Sequence, residues 1–131
     1  MYFLRKLKKF KVSKEMLLLF YKSSIQSVML YNAICFYGNA TLESKAKFNR
    51  VHKAAAKIIG SKLEPLDSRY KEDTLKKMKR ILPDSKHPLS VEFGAHRSSR
   101  ECSNRFRSLK AKTNRLYKSF IPTAIRLYNE L

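Results

Sequence analysis

The sequence predicts an all-α fold: a small bundle of about four helices, with an irregular basic segment before a short C-terminal helix. Three observations predict it. Apolar residues recur three and four apart over long stretches. No stretch alternates with period two for long enough to build a sheet. Helix punctuation, at Ser13, Thr41, Gly60, Pro65 and Pro83, falls between the periodic runs. With 131 residues, 44% of them hydrophobic, the chain has enough apolar side chain for a core and the length of one ordinary domain.

The first helix is expected over residues 2–10, where Phe3, Leu7 and Phe10 stand at helical spacing with basic residues between them. Ser13 is a suitable N-cap for a longer helix running to about Phe36. Within it Leu17, Phe20, Tyr21, Ser24, Val28, Tyr31 and Cys35 follow the helical rule, and Met16, Leu18, Leu19, Ile25, Met29 and Ile34 widen the stripe. A helix so apolar is expected to be buried on more than one side. Gly38-Asn39 breaks it. A third helix is expected over Glu43 to Ile59, capped by Thr41 and closed by Gly60. Its inward face is expected to be Phe48, Val51, Ala55, Ile58 and Ile59, with Arg50, Lys53 and Lys57 opposite.

After Pro65 and Asp67-Ser68, a fourth helix is expected over about Arg69 to Leu82, with Leu75, Met78 and Leu82 inward and Lys76, Lys77, Lys79 and Arg80 outward. Pro83-Asp84 ends it. Residues 85–113 show no sustained period and read as an irregular polar connection. The tail KSFIPTAIRLYNEL makes a short helix that docks through Ala124, Leu127, Tyr128 and Leu131. The expected organisation is a helical bundle over 1–82, a basic linker over 83–116 and a docking helix over 117–131.

Charge bounds the function. Lys and Arg number 29 against 10 Asp and Glu, a formal net charge of +19. Such self-repulsion favours a polyanionic partner. Nucleic acid comes first, because each cation set on a phosphate releases condensed counterions. An anionic membrane surface comes second, and a solvated basic surface with no specific partner is the plain alternative. The N-terminus starts like a targeting segment, but Lys22 stops its apolar run. The uncharged stretch Ser23 to Leu42 contains Ser23, Ser24, Gln26, Ser27, Asn32, Gly38, Asn39 and Thr41, which makes it a buried helix rather than a membrane span. Cys35 and Cys102 frame no C-x-x-C, so a reducing intracellular compartment, nuclear or cytoplasmic, is expected.

The chemistry that would signal an enzyme is missing from the sequence. Gly38, Gly60 and Gly94 stand alone, so no glycine-rich phosphate loop or S-adenosylmethionine motif exists. His52, His87 and His96 form no H-x-D, so the iron site of a non-haem oxygenase is not expected. His87, His96 and Cys102 lack a fourth ligand and a compact spacing for zinc. Cys102 has Arg100 and Arg105 nearby, but reads as an exposed thiol. Asp67, Asp73 and Asp84 sit singly, without the pairing that two-metal phosphoryl transfer needs. No catalytic residue, metal site or cofactor is expected. Aromatics do interleave with cations. Tyr2, Phe3 and Phe10 flank the first cluster, and Phe106, Tyr117 and Phe120 alternate with Arg105, Arg107, Lys110, Lys112, Arg115 and Lys118. Such rings stack on unpaired bases or, more commonly, build core.

Four strings occur in order: YFLRKLKKF…LLLFYKSSIQSVMLYNAICFYGNA, FNRVHKAAAKIIG, HPL and KSFIPTAIRLYN. Together they resemble the C-terminal, thumb and post-thumb, end of reverse transcriptases of non-LTR (LINE-type) retrotransposons, over nearly the whole chain. The resemblance implies that residues 1–60 act as a helical thumb against a template–primer duplex. Its basic residues would be Arg5, Lys6, Lys8, Lys9, Arg50, Lys53 and Lys57. The polymerase palm with its paired aspartates is missing, as are an endonuclease domain and a cysteine-rich knuckle, and Met1 falls where that family has mid-protein sequence. The resemblance therefore implies a retrotransposon-derived fragment without polymerase activity. Residues 1–40 also resemble the segment labelled as the N-terminal domain of AlkB homologue eight. Dioxygenase and methyltransferase terms accompany that label, but those activities belong to other domains of that family.

The expected role is thus a non-enzymatic, helical binder of RNA or DNA backbone. Its contacts are Arg5, Lys6, Lys8, Lys9, Arg50, Lys53, Lys57, Lys76, Lys77, Lys79 and Arg80. The rival expectation is an interaction module that docks a partner protein through residues 14–36.

Overall fold

The computed structural model describes residues 1–94 and 105–131. It is all-α, with no β-strand among the described residues. The chain divides into two compact units, Met1–Ala33 with Ala40–Ser68, and Ile34–Asn39 with Arg69–Leu131. One break falls inside a helix, and residues 34–39 group with the C-terminal part.

In the first unit, α1 (Tyr2–Lys9) is followed by a reversal in which Lys11 adopts φ 58. Leu4 is buried and Leu7 half-buried. Phe3 and Phe10, expected inward, are 68% and 74% exposed. Phe3 lies beside Leu4 and off its line, and Phe10 falls beyond the helix end.

Ser13 caps α2 (Lys14–Phe20), its side chain accepting from the Met16 N–H. The long helix expected to Phe36 does not run through. A π-helical segment (Tyr21–Gln26) interrupts it, α3 (Ser27–Leu30) follows, and Tyr31 leaves helical geometry with ψ 116. Asn32 then takes φ 54, a left-handed conformation that asparagine tolerates. Side chains support the wide turn: the Ser23 hydroxyl donates to the Phe20 carbonyl, and the Ser27 hydroxyl to that of Ser23. One extra residue rotates everything downstream by about 100°. The buried and half-buried line therefore runs Leu17, Tyr21, Ile25, Met29 and Ala33. Ser24, Val28 and Tyr31, expected inward, face out, and Val28 and Tyr31 are 73% and 81% exposed.

Thr41 caps α5 (Leu42–Ile59) by accepting from the Ser44 N–H, and Gly60 closes it at φ 74. The buried residues are His52, Ala55 and Ile59, so the inward face centres on His52 and leaves Val51, expected inward, exposed. The core of this unit is Leu4, Leu17, Tyr21, Ala55 and Ile59.

In the second unit, α4 (Ala33–Phe36) and a 3-10 turn (Tyr37–Asn39) bring Tyr37 beside Tyr70, with ring centroids 5.1 Å apart. Gly38 is needed there for close approach: a Cβ on it would lie 2.3 Å from the Lys118 carbonyl oxygen. Helix α6 (Leu66–Ile81) begins three residues earlier than expected, with Asp67 in its first turn. Its buried residues are Leu66, Tyr70, Thr74, Met78 and Ile81, while Leu75 and Leu82 are half-buried.

Residues 82–94 contain no helix, yet are ordered as successive turns. The N–H groups of Asp84, His87, Ser90 and Phe93 each donate to the carbonyl three residues back, at Ile81, Asp84, His87 and Ser90. The staircase delivers Phe93 into a core with Met78, Ile81, Ala124 and Ile125, around which Phe106, Phe120 and Tyr128 pack. Helices α7 (Asn114–Tyr117) and α8 (Phe120–Asn129) complete the unit. Of the four expected docking residues, Ala124 is buried, Leu127 and Tyr128 are half-buried, and Leu131 is 81% exposed because α8 ends before it.

Candidate nucleic-acid interface

Helices α1 and α5 pack on each other in the first unit. Their inward residues are apolar or self-satisfied, so their cations are left outside. Arg5, Lys6, Lys8 and Lys9 are all exposed on α1. Arg50, Lys53 and Lys57 are all exposed on α5, on the side opposite His52, Ala55 and Ile59. At about 1.5 Å per residue the α5 row is about 10 Å long, roughly the axial run of three phosphates on one strand. The acids of this unit are Glu15, Glu43, Glu64 and Asp67, and among the described residues none of them pairs with the row. Glu15 and Glu43 occupy the first turns of α2 and α5, and Asp67 the first turn of α6, where the helix dipole favours negative charge. Glu43 pairs with Lys47 at 2.8 Å and with no cation of the row.

A buried polar pair fixes how α5 is turned. The Tyr21 hydroxyl lies 2.7 Å from His52 Nδ1. The backbone of Leu63 and Glu64 also hydrogen-bonds the His52 ring. With one ring nitrogen donating to a backbone carbonyl, Nδ1 accepts from the Tyr21 hydroxyl. Burial pushes the His52 pKa down, against the smaller upward pull of those backbone bonds, and burial raises that of Tyr21. His52 thus acts as a structural ring that locks the row of cations outward. No local pattern signals the pair, whose members are 31 residues apart.

The α6 cations belong to the second unit. Lys76 is taken up by Glu72 at 2.7 Å, and Glu72 also meets Arg69. The Lys76 hydrogen bond holds the Glu72 carboxyl below its ordinary value. Lys77 is half-buried, whereas Lys79 and Arg80 are exposed. Lys79 shares a cleft with Arg105, Tyr128, Asn129 and Leu131.

The interleaved aromatics divide between the two roles. Phe106 and Phe120 are packed against the core of the second unit. Tyr117 is exposed, with the Arg126 guanidinium 3.8 Å from its ring centroid and Arg126 Nη1 donating to its carbonyl. Tyr2, Phe3 and Phe10 stay exposed beside the α1 cations, and Lys6 Nζ sits 5.2 Å from the Tyr2 ring centroid. The exposed cations Arg105, Arg107, Lys110, Lys112, Arg115 and Lys118 were not expected as contacts. Their signal was present, because no acid occurs between Cys102 and Asn129.

Among the described residues no group of three His, Cys, Asp or Glu is placed to hold a metal ion, and no helix is long and apolar enough to cross a membrane. His96, Arg100 and Cys102 lie outside the described residues.

The model of one family, described as alkylated DNA repair protein alkB homolog 8, N-terminal, matches residues 1–27. That stretch covers α1, α2 and the π-helical segment. No curated protein and no solved structure matches the chain. The chain is therefore an all-α protein whose first 27 residues are similar to that N-terminal segment.

Proposed function

We propose that the chain is a non-catalytic helical module that binds nucleic-acid backbone, derived from the thumb end of a non-LTR reverse transcriptase. Arg5, Lys6, Lys8 and Lys9 on α1, with Arg50, Lys53 and Lys57 on α5, take phosphates; Lys77, Lys79 and Arg80 add contacts in the second unit. The observation that carries the reading is the α5 row, exposed opposite a buried face and in no ion pair among the described residues. The four ordered strings support the reverse-transcriptase origin. The family matched over residues 1–27 carries the name of an alkylated DNA repair protein, and nucleic acid is what that name and the charge share.

Duplex binding measured across salt concentrations tests it. The ten phosphate contacts give a log–log slope of about −9, and Lys53→Gln with Lys57→Gln makes it shallower by about 2. Affinity indifferent to salt would sink the proposal.

A second reading, a protein-docking module using residues 14–36, is favoured by one observation: Met16, Leu19, Val28 and Tyr31 are exposed. A monodisperse monomer that binds no apolar dye counts against it. A third, from the matched family's name alone, is an N-terminal segment associated with a dioxygenase or methyltransferase. Retained iron or S-adenosylmethionine in the purified protein favours that one.

A further inference from the structure

In the second unit, residues of α6, of the segment beginning at Arg105 and of the end of α8 line a cleft of about 360 Å³. Among the described residues its walls are Lys79, Arg105, Tyr128, Asn129 and Leu131, none of them acidic. The volume lies at the small end of those that hold organic ligands. Neither Lys79 nor Arg105 has an ion-pair partner among the described residues.

The position of Arg105 is held by its neighbour. The Asn129 side-chain amide clips both backbone groups of Phe106: Oδ1 accepts from the Phe106 N–H at 3.0 Å, and Nδ2 donates to the Phe106 carbonyl at 3.0 Å. The Phe106 ring meets Tyr128 edge to face, with centroids 5.0 Å apart. Asn129 is thus spent on positioning. What the cleft offers a ligand is one ammonium, one guanidinium fork, a tyrosine ring and an aliphatic wall. The two cations suit a phosphate, the lysine as a point charge and the arginine as a planar two-pronged donor. The ring and leucine suit a flat heterocycle.

We propose that this cleft binds a single nucleotide unit, its phosphate held by Lys79 and Arg105 and its base set against Tyr128. The unit is either a free mononucleotide or the phosphorylated end of a strand. The site takes one phosphate on its own residues and does not depend on the α1 and α5 row.

Calorimetric titration of the full chain at 0.15 M salt, with AMP, adenosine and inorganic phosphate in turn, tests the proposal. AMP is expected to bind at least about tenfold tighter than either fragment, and Lys79→Gln and Arg105→Gln each to weaken AMP about tenfold. Tyr128→Leu weakens AMP and leaves phosphate unchanged, with circular dichroism confirming that the variant is folded. Competition by an oligonucleotide separates the sources. If a 5′-phosphorylated strand displaces AMP and its unphosphorylated twin does not, the ligand is a strand end. If neither does, it is the free nucleotide. Adenosine or phosphate binding as tightly as AMP, or both glutamine variants titrating like wild type, overturns the proposal. Failure of the backbone reading looks different: duplex binding loses its salt dependence while AMP still binds.

Discussion

The two units reach the same end by different means. The first collects Leu4, Leu17, Tyr21, Ala55 and Ile59 from helices and a π-helical segment, and seals one polar pair among them. The second collects Phe93 from a staircase of turns, Phe106 from an extended segment, and Met78, Ile81, Ala124 and Ile125 from two helices. Its rings interlock edge to face, with Phe93 6.4 Å from both Phe106 and Phe120. Aromatic rings reach far from the backbone, which lets an irregular carrier deliver them to a core. The first unit therefore spends its regular surface on cations, and the second hides its anchors in what looks like connection.

Phe93→Ala gives the hardest test of this contrast. If the turn staircase supplies true core, removing that ring costs about 3–5 kcal/mol in urea denaturation. A loss below about 1 kcal/mol would return residues 82–94 to the status of a linker. Gly38→Ala comes next. The added methyl meets a backbone carbonyl that has little room to retreat, and a loss of about 2 kcal/mol is expected by thermal melting. Unchanged stability would show that the 3-10 turn yields freely.

Tyr21→Phe examines the first unit's sealed pair. It strands a buried ring nitrogen of His52, for a loss of about 1.5 kcal/mol. The same pair sets a pH response. The folded state holds the His52 pKa below its unfolded value, so between the two the unfolded chain binds more protons. Stability is then full at neutral pH and falls as the pH drops below about 6.5 towards the folded-state pKa. His52→Gln should flatten that part of the profile; an unchanged profile would assign it to another group. The smallest effect is expected for Lys11→Gly, which relieves a left-handed residue and gains about 0.5 kcal/mol. A loss on that substitution would mean that Lys11 contributes more through its side chain than it costs through its backbone.

Much of the first unit was legible in the sequence. Ser13, Thr41 and Gly60 act as caps, and Arg50, Lys53 and Lys57 stand outward as their spacing implies. What periodicity misplaced were residues after Tyr21 and the centre of the α5 face, since a fixed angle per residue cannot foresee a π-turn or choose His52 over Val51. The second unit was less legible. Phe93 and Phe106 sit in runs with no period, and only their distant partners on α8 reveal them as core. The Lys79–Arg105 cleft joins positions 26 residues apart, beyond any local pattern.

The π-helical segment has a consequence for chain length. Deleting one exposed serine, Ser23 or Ser24, removes no buried side chain and permits ordinary α-helix from Lys14 onward. Because that residue is the one the π-turn absorbs, Met29 and Ala33 keep their place on the inward line and Val28 stays outside. Losing the π-turn at unchanged length would instead rotate Met29 and Ala33 by about 100°, so the wide turn and the extra residue compensate each other: the fold of this stretch is written in the count as much as in the letters.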